Sequence, residues 1–353
     1  MPQPFRDSAV RARRRSTLAT ASGPRIVAIG GGTGLPAVLS GVADAFDGRP
    51  RPVSALTGIV TVTDDGGSSG RLRREAGMLP PGDVRNCLVA LAPESPLKQL
   101  LQHRFTAAPS LRGHALGNLL LAALVEVTGD FCDAIDQLGT MMGLRGRVLP
   151  ATVDHVSLVG EFDGGHTVCG ETAIVAERRP IRRVRLDRTA CAVPRALDAI
   201  ARADLIVVGP GSLYTSILPN LLVDGVASAI AASRAVRVFV GNLMTEPGET
   251  DGFSLEQHLD VIAAHTGKDL FDCVLINRRA PSPHAIARYA RQSALPIEIA
   301  HPAADVIGRA RVVRRDLARE THQGKVRHSP GALARALLQI AAERPVRAAR
   351  ATA

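Results

Sequence analysis

Arg25-Ile26-Val27-Ala28-Ile29-Gly30-Gly31-Gly32-Thr33-Gly34-Leu35-Pro36 is the stretch from which the rest of the chain can be read. Its first half is apolar and β-branched, a composition that suits a buried strand. The glycines that follow let the backbone turn sharply and approach a phosphate closely. A helix expected from near Ala37 would add free N–H groups and the positive end of its dipole. Strand, glycine turn and helix in that order open a βαβ unit. Gly32-Thr33-Gly34-Leu35-Pro36-Ala37 meets the permissive dinucleotide fingerprint, yet no acidic residue ends a second strand about 20 residues on, and no Lys follows as a Walker loop requires. The turn therefore reads as a phosphate cradle, with Gly31, Gly32, Thr33, Gly34 and Leu35 as candidates, and an NAD-dependent dehydrogenase is disfavoured.

The same pattern recurs outward from this turn. Apolar runs at 59–63, 205–208, 236–240 and 273–276 read as further strands. The second runs into a turn carrying Asp64, Asp65, Ser68, Ser69 and Arg71, which is read as one flexible polar loop. Carboxylates there could orient ribose hydroxyls or hold Mg²⁺ against phosphate. The competing reading is a solvated Asp-Gly turn. Gly211, Ser212 and Tyr214 follow the next strand, and Asn242 the one after. Open α/β sheets bind ligands outside the carboxyl ends of their strands, so all four loops are expected in one cleft, with Thr33, Ser68, Tyr214 and Asn242 facing it. His114 and Asn118, one helical turn apart, would face the same way. No nucleophile–base pair and no metal-ligand set is legible.

Helical periodicity at 84–92, 97–105, 115–127 and 131–142 gives a helical cluster over about 84–143. Strand-like pieces at 156–162, 167–175 and 181–186 give a small β-rich, antiparallel insertion over about 147–186. The expected fold is α/β and Rossmann-like, a mostly parallel sheet flanked by helices. A single domain, 25–343, is expected between disordered basic tails at 1–24 and 344–353.

Of 353 residues, 46% are hydrophobic but only 3% aromatic, with no Trp, which favours a core of Ala, Val, Leu and Ile. The formal charge is +10, of which residues 1–25 and 335–353 together hold +8. The body is thus nearly neutral, which argues against nucleic acid. The five cysteines have neither disulfide nor zinc spacing. No apolar run is long enough to span a membrane. A cytoplasmic location is expected, and a homo-oligomer is compatible with the sequence.

Six motifs together resemble the gluconeogenesis factors (YvcK), within the superfamily of 2-phospho-L-lactate transferase (CofD). They are Gly30-Gly-Gly-Thr-Gly-Leu, Asp64-Asp-Gly-Gly-Ser-Ser-Gly-Arg-Leu-Arg, Leu79-Pro-Pro-Gly-Asp-Val-Arg, Gly113-His-Ala-Leu-Gly-Asn, Gly209-Pro-Gly-Ser-Leu-Tyr-Thr-Ser-Ile and Gly241-Asn-Leu-Met-Thr-Glu-Pro-Gly-Glu-Thr. The resemblance covers about residues 25–340. It implies a Rossmann-like body that binds a nucleotide sugar, chiefly UDP-N-acetylglucosamine, and adjusts carbon flow to cell-wall precursors and cell shape without catalysis, through a cytoplasmic enzyme or regulator. It also implies that Tyr289 and Arg327 contact the UDP-sugar. The alternative it carries is Mg²⁺-dependent transfer of a phosphoryl-linked group, with Asp64 and Asp65 on the metal. This chain departs from the family in having Ser329-Pro330 where an Asp and a phosphorylatable residue commonly stand, and from the transferases in its Asp64-Asp-Gly-Gly-Ser-Ser run.

Overall fold

The computed structural model describes residues 23–46, 55–301, 303–321 and 323–343. Both predicted tails lie largely outside this range. Thirteen strands run through the described chain: β1 (Ile26–Gly30), β2 (Leu56–Val60), β3 (Arg147–Pro150), β4 (Leu158–Phe162), β5 (Thr167–Cys169), β6 (Ile181–Leu186), β7 (Leu205–Val208), β8 (Val236–Val240), β9 (Cys273–Asn277), β10 (Val306–Ile307), β11 (Ala310–Arg315), β12 (Ala318–Glu320) and β13 (Val326–His328). Eight of them form one sheet in the order β10-β11-β9-β8-β7-β1-β2-β3. Every pairing in it is parallel except β10 with β11.

The centre of this sheet is buried on both faces, and alternation along β1 shows how. Ile26 and Ala28 enter one apolar cluster, Val27 and Ile29 the other. Such two-sided burial is what near-continuous aliphatic strands are for. The Gly34–Ala45 and Pro330–Ala342 helices pack together on the first face. At Gly34 an added Cβ would overlap the Pro210 carbonyl, so only glycine lets the first helix begin there. That start is three residues before the one expected.

The α/β class and the mostly parallel sheet stand as the sequence predicted. Three local readings are corrected. Strand β2 ends at Val60, Thr61 making one last backbone bond to the Gly30 carbonyl at 3.1 Å and its hydroxyl meeting that of Thr63 at 3.0 Å. The segment 167–175 is a strand only to Cys169. Gly170, at φ 102°, breaks it, and the Glu171–Ala176 helix follows. Strand β3, placed in the antiparallel insertion by the sequence, pairs with β2 at the edge of the main sheet, and the separate sheet is β5-β4-β6. The helical cluster occupies Gly82–Leu91, Pro96–Gln102, Leu116–Thr128 and Phe131–Met142.

Candidate functional site

The carboxyl ends of β1, β7 and β8 share one edge of the sheet, and a cleft of about 550 Å³ opens there. Thr33 and Gly34 line it from the β1 turn, Gly211 from the β7 turn, and Asn242 from the β8 turn. Asn242 ties two of these loops together. Its Oδ1 accepts the Gly211 N–H at 2.9 Å, and its Nδ2 donates to the Gly211 carbonyl at 2.8 Å. Gly32 sits at φ 60°, the left-handed conformation a turn of this shape needs.

The opposite wall comes from the C-terminal part of the chain. Tyr289 and Arg327 lie on the cleft, as does Arg319, which sequence reasoning missed. Arg319 and Arg327 are direct cross-strand partners in the β12–β13 ribbon. Two like charges directly opposite on a ribbon are destabilising unless something between them is negative. The Tyr289 hydroxyl accepts the Val326 N–H at 3.0 Å, which fixes the ring against β13. Two buried polar atoms of residues that line the cleft, Glu246 Oε2 from the β8 loop and His328 Nε2 from β13, have no partner. Burial pulls the His328 imidazole down to about 4, so it is neutral at ordinary pH and offers Nε2 as an acceptor. Burial, and then the neighbouring Glu249, push the Glu246 carboxyl upward, while Arg327 opposes the shift.

The loop after β2 does not line this cleft. It is not a flexible turn but the entry to the Gly67–Glu75 helix, with the Asp64 carboxylate accepting the Gly66 N–H at 2.9 Å. Asp65 accepts both the backbone N–H and the hydroxyl of Thr172, at 2.9 and 2.7 Å. Ser68, buried, accepts from Asn118 Nδ2 at 3.0 Å and stands 2.9 Å from His114 Nδ1. Thus His114 and Asn118 do meet, through Ser68, in a second polar chamber, where Asn118 Oδ1 and Arg85 Nε are left without partners. Burial, with Arg71 nearby, holds the His114 imidazole below its ordinary value. Ser69 is buried beside Gly82, and the Arg71 guanidinium donates to the Arg112 carbonyl at 2.7 Å.

Asp83 joins the two regions. In the first turn of the Gly82–Leu91 helix, its carboxylate accepts the Gly32 N–H at 2.6 Å, and burial pushes it to about 6. Behind it stands Glu171, unforeseen by the sequence, whose carboxyl rises to about 9 through burial and the nearby Asp64, Asp83, Glu249 and Asp65. Glu249 in turn receives the Ser212 hydroxyl. Among the described residues no group of three His, Cys, Asp or Glu side chains is arranged to hold a metal. Asp64, Asp65 and Asp83 each accept N–H donors through one carboxylate oxygen.

Three predicted contacts are corrected. Tyr214 lies in the short helical turn Leu213–Ile217, which directs its ring into the second apolar cluster, 1% exposed, with its hydroxyl donating to the Ile181 carbonyl at 3.2 Å. Leu35 is fully buried in the first apolar cluster and does not line the cleft. Gly31 packs against Asp83, Thr61 and Ser216 rather than on the cleft. The loops after β1, β7 and β8 therefore converge, and the fourth stands behind them.

The profile of the family described as 2-phospho-L-lactate transferase CofD matches residues 26–318. The gluconeogenesis factor of Halalkalibacterium halodurans is 47% identical over 274 residues, 77% of this chain and 83% of that protein. That of Bacillus subtilis is 43% identical over 277 residues, 78% and 85% respectively. A crystal structure of a Bacillus halodurans protein superposes with a TM-score of 0.84 at 41% identity, covering 90% of this chain and 99% of the other. The chain belongs to the gluconeogenesis-factor family, within the CofD-like superfamily.

Proposed function

We propose that this member of the gluconeogenesis-factor family is a nucleotide-sugar sensor, with UDP-N-acetylglucosamine as its ligand, that adjusts carbon flow to cell-wall precursors and cell shape in the cytoplasm. The observation that carries the reading is the facing pair Arg319 and Arg327 across the cleft from the glycine turn. A diphosphate between them would take forked N–H donors from one wall and backbone donors from the Gly34 helix start on the other. The unpartnered Nε2 of His328 suits a sugar hydroxyl or an amide N–H. Glu246, held toward its protonated form, would donate a hydrogen bond instead of repelling the phosphates. Tyr289 supplies a face for the base or sugar. A bound ligand would favour one conformer, which a partner enzyme or regulator reads.

Isothermal titration with UDP-N-acetylglucosamine, UDP, GDP and NAD, with and without Mg²⁺, tests this. Preferential, Mg²⁺-independent binding of the UDP-sugar is the expected result. The second reading, transfer of a phosphoryl-linked group from a nucleotide donor, is favoured by the CofD family match. It predicts nucleotide binding that requires Mg²⁺ and release of a nucleoside monophosphate when an acceptor is supplied.

A further inference from the structure

The helix Leu116–Thr128, sequence LGNLLLAALVEVT, is apolar around most of its circumference. A helix of that kind is ordinarily enclosed. Here Gly117, Asn118 and Leu121 are buried on one side, and Leu119, Leu120, Ala122, Leu124 and Val125 pack half-buried against the first apolar cluster. Leu116, Leu120, Ala123 and Val127 lie on the opposite side at steps of four, three and four residues, the a and d spacing of a helix-pairing seam. Val127 is 80% exposed, Ala123 is exposed, and Leu116 and Leu120 are half-buried. The two helices packed against this one, Pro96–Gln102 and Phe131–Met142, each add one large exposed apolar side chain, Leu100 and Met141.

We infer that this seam is the interface with a second copy of the same chain, packed antiparallel across a two-fold axis that passes between Leu120 and Ala123. The seam is complementary to itself under that operation. Leu120 of each copy falls on Ala123 of the other, large against small, and Leu116 falls on Val127. The ends also match in charge. Arg104 and Arg112, both exposed, stand at the N-terminal end, and their guanidiniums donate to the Gly113 and Thr106 carbonyls, with no carboxylate partner among the described residues. Glu126, Asp130 and Asp133 stand exposed at the C-terminal end. An antiparallel pair brings each cationic end to the anionic end of the other copy, whereas a parallel pair would set like against like. A stable interface buries about 800 Å² per partner. A seam of about 20 Å falls short of that alone, so Leu100 and Met141 belong to the contact and the dimer dissociates on dilution. The interface is isologous, as most homodimers are.

Sedimentation velocity of the full chain over a dilution series tests the inference. A monomer–dimer equilibrium is expected, weakened by salt. Val127→Glu, at a position where nothing in the fold needs the side chain, should raise the dimer dissociation constant about tenfold or more with unchanged melting of the monomer. Arg112→Glu should weaken the dimer, and adding Glu126→Arg to it should restore part of the loss. A monomer at every concentration overturns the inference. So does a dimer indifferent to Val127→Glu, or a charge-reversed pair no tighter than Arg112→Glu alone.

Discussion

Arg327 and Arg319 confront each other across a ribbon three residues long, both exposed. If a diphosphate completes the arrangement, Arg327→Ala weakens UDP-sugar binding by about 2–4 kcal/mol and leaves the melting temperature of the unliganded protein nearly unchanged. Arg327→Lys recovers only part, because an ammonium cannot fork across two oxygens. A structural role would give the reverse, early unfolding with normal affinity, and calorimetry with thermal melting separates the two. Glu171 invites a different test. Its carboxyl is raised from an ordinary 4.5 to about 9, so between those values the folded state binds a proton that the unfolded state has released. Stability contributed by this group is therefore present below pH 4.5 and is lost as pH rises toward 9. Glu171→Gln removes that dependence, so the variant should gain stability over the parent as pH rises, by about 1–3 kcal/mol near neutrality. Denaturant midpoints across the pH range check it, and equal slopes for both proteins would show that Glu171 is ionised in the fold.

At the level of elements, strands announced themselves and the ends of elements did not. The run Arg25 to Ile29 is apolar without interruption, and the same holds for β7 and β8, so periodicity and composition were sufficient. Asp64 to Arg71 was misread because Gly66 and Gly67 mimic a loop, while the force that makes a helix there is long-range. Asp65 is held by Thr172, and Gly70 lies so close to the Asp65 carbonyl that no side chain would fit. Tyr214 carries a usable signal in its neighbours. Leu213, Tyr214, Ile217 and Leu218 follow each other at helical spacing, which marks a buried face. Its ring is core, so Tyr214→Phe should cost about 0.5–1.5 kcal/mol through the unpaired Ile181 carbonyl and leave ligand affinity within error, measured by urea melts and titration. A clear loss of affinity at full stability would return Tyr214 to the site. Arg319 and Glu171 have no local signature, and Asp83 shows only within the Leu79-Pro-Pro-Gly-Asp-Val-Arg motif. Asp83 and Glu171 acquire their roles from partners far away in sequence, Gly32 and Asp64, and Arg319 from Arg327 across the turn of one ribbon.

Across the whole molecule, the cleft is assembled from opposite ends of the chain. The glycine turn follows β1, near the start of the described residues, whereas β13 and the Pro330–Ala342 helix come last. These ends are joined behind the cleft by the two packed helices, and the closest approach is at Gly41, where an added methyl group would overlap the Pro330 carbonyl. Pro330 is three residues from Arg327, so the position of the guanidinium pair depends on how the last helix seats. Gly41→Ala should then do two things at once. Forcing the helices apart should destabilise the unliganded fold by about 1–3 kcal/mol. It should also weaken UDP-sugar binding, although residue 41 lies a full turn and more from the cleft. Arg327→Ala is expected to change affinity alone and Tyr214→Phe stability alone, so a change in both marks an effect carried by the helix pair. Because ligand would bind only the seated conformer, saturating UDP-sugar should recover part of the lost melting temperature in Gly41→Ala, by an amount that grows with the logarithm of ligand concentration. Differential scanning fluorimetry over a ligand series reads this directly. A destabilised Gly41→Ala protein with parental affinity would separate the last helix from the site and leave the β12–β13 ribbon to position Arg327 unaided.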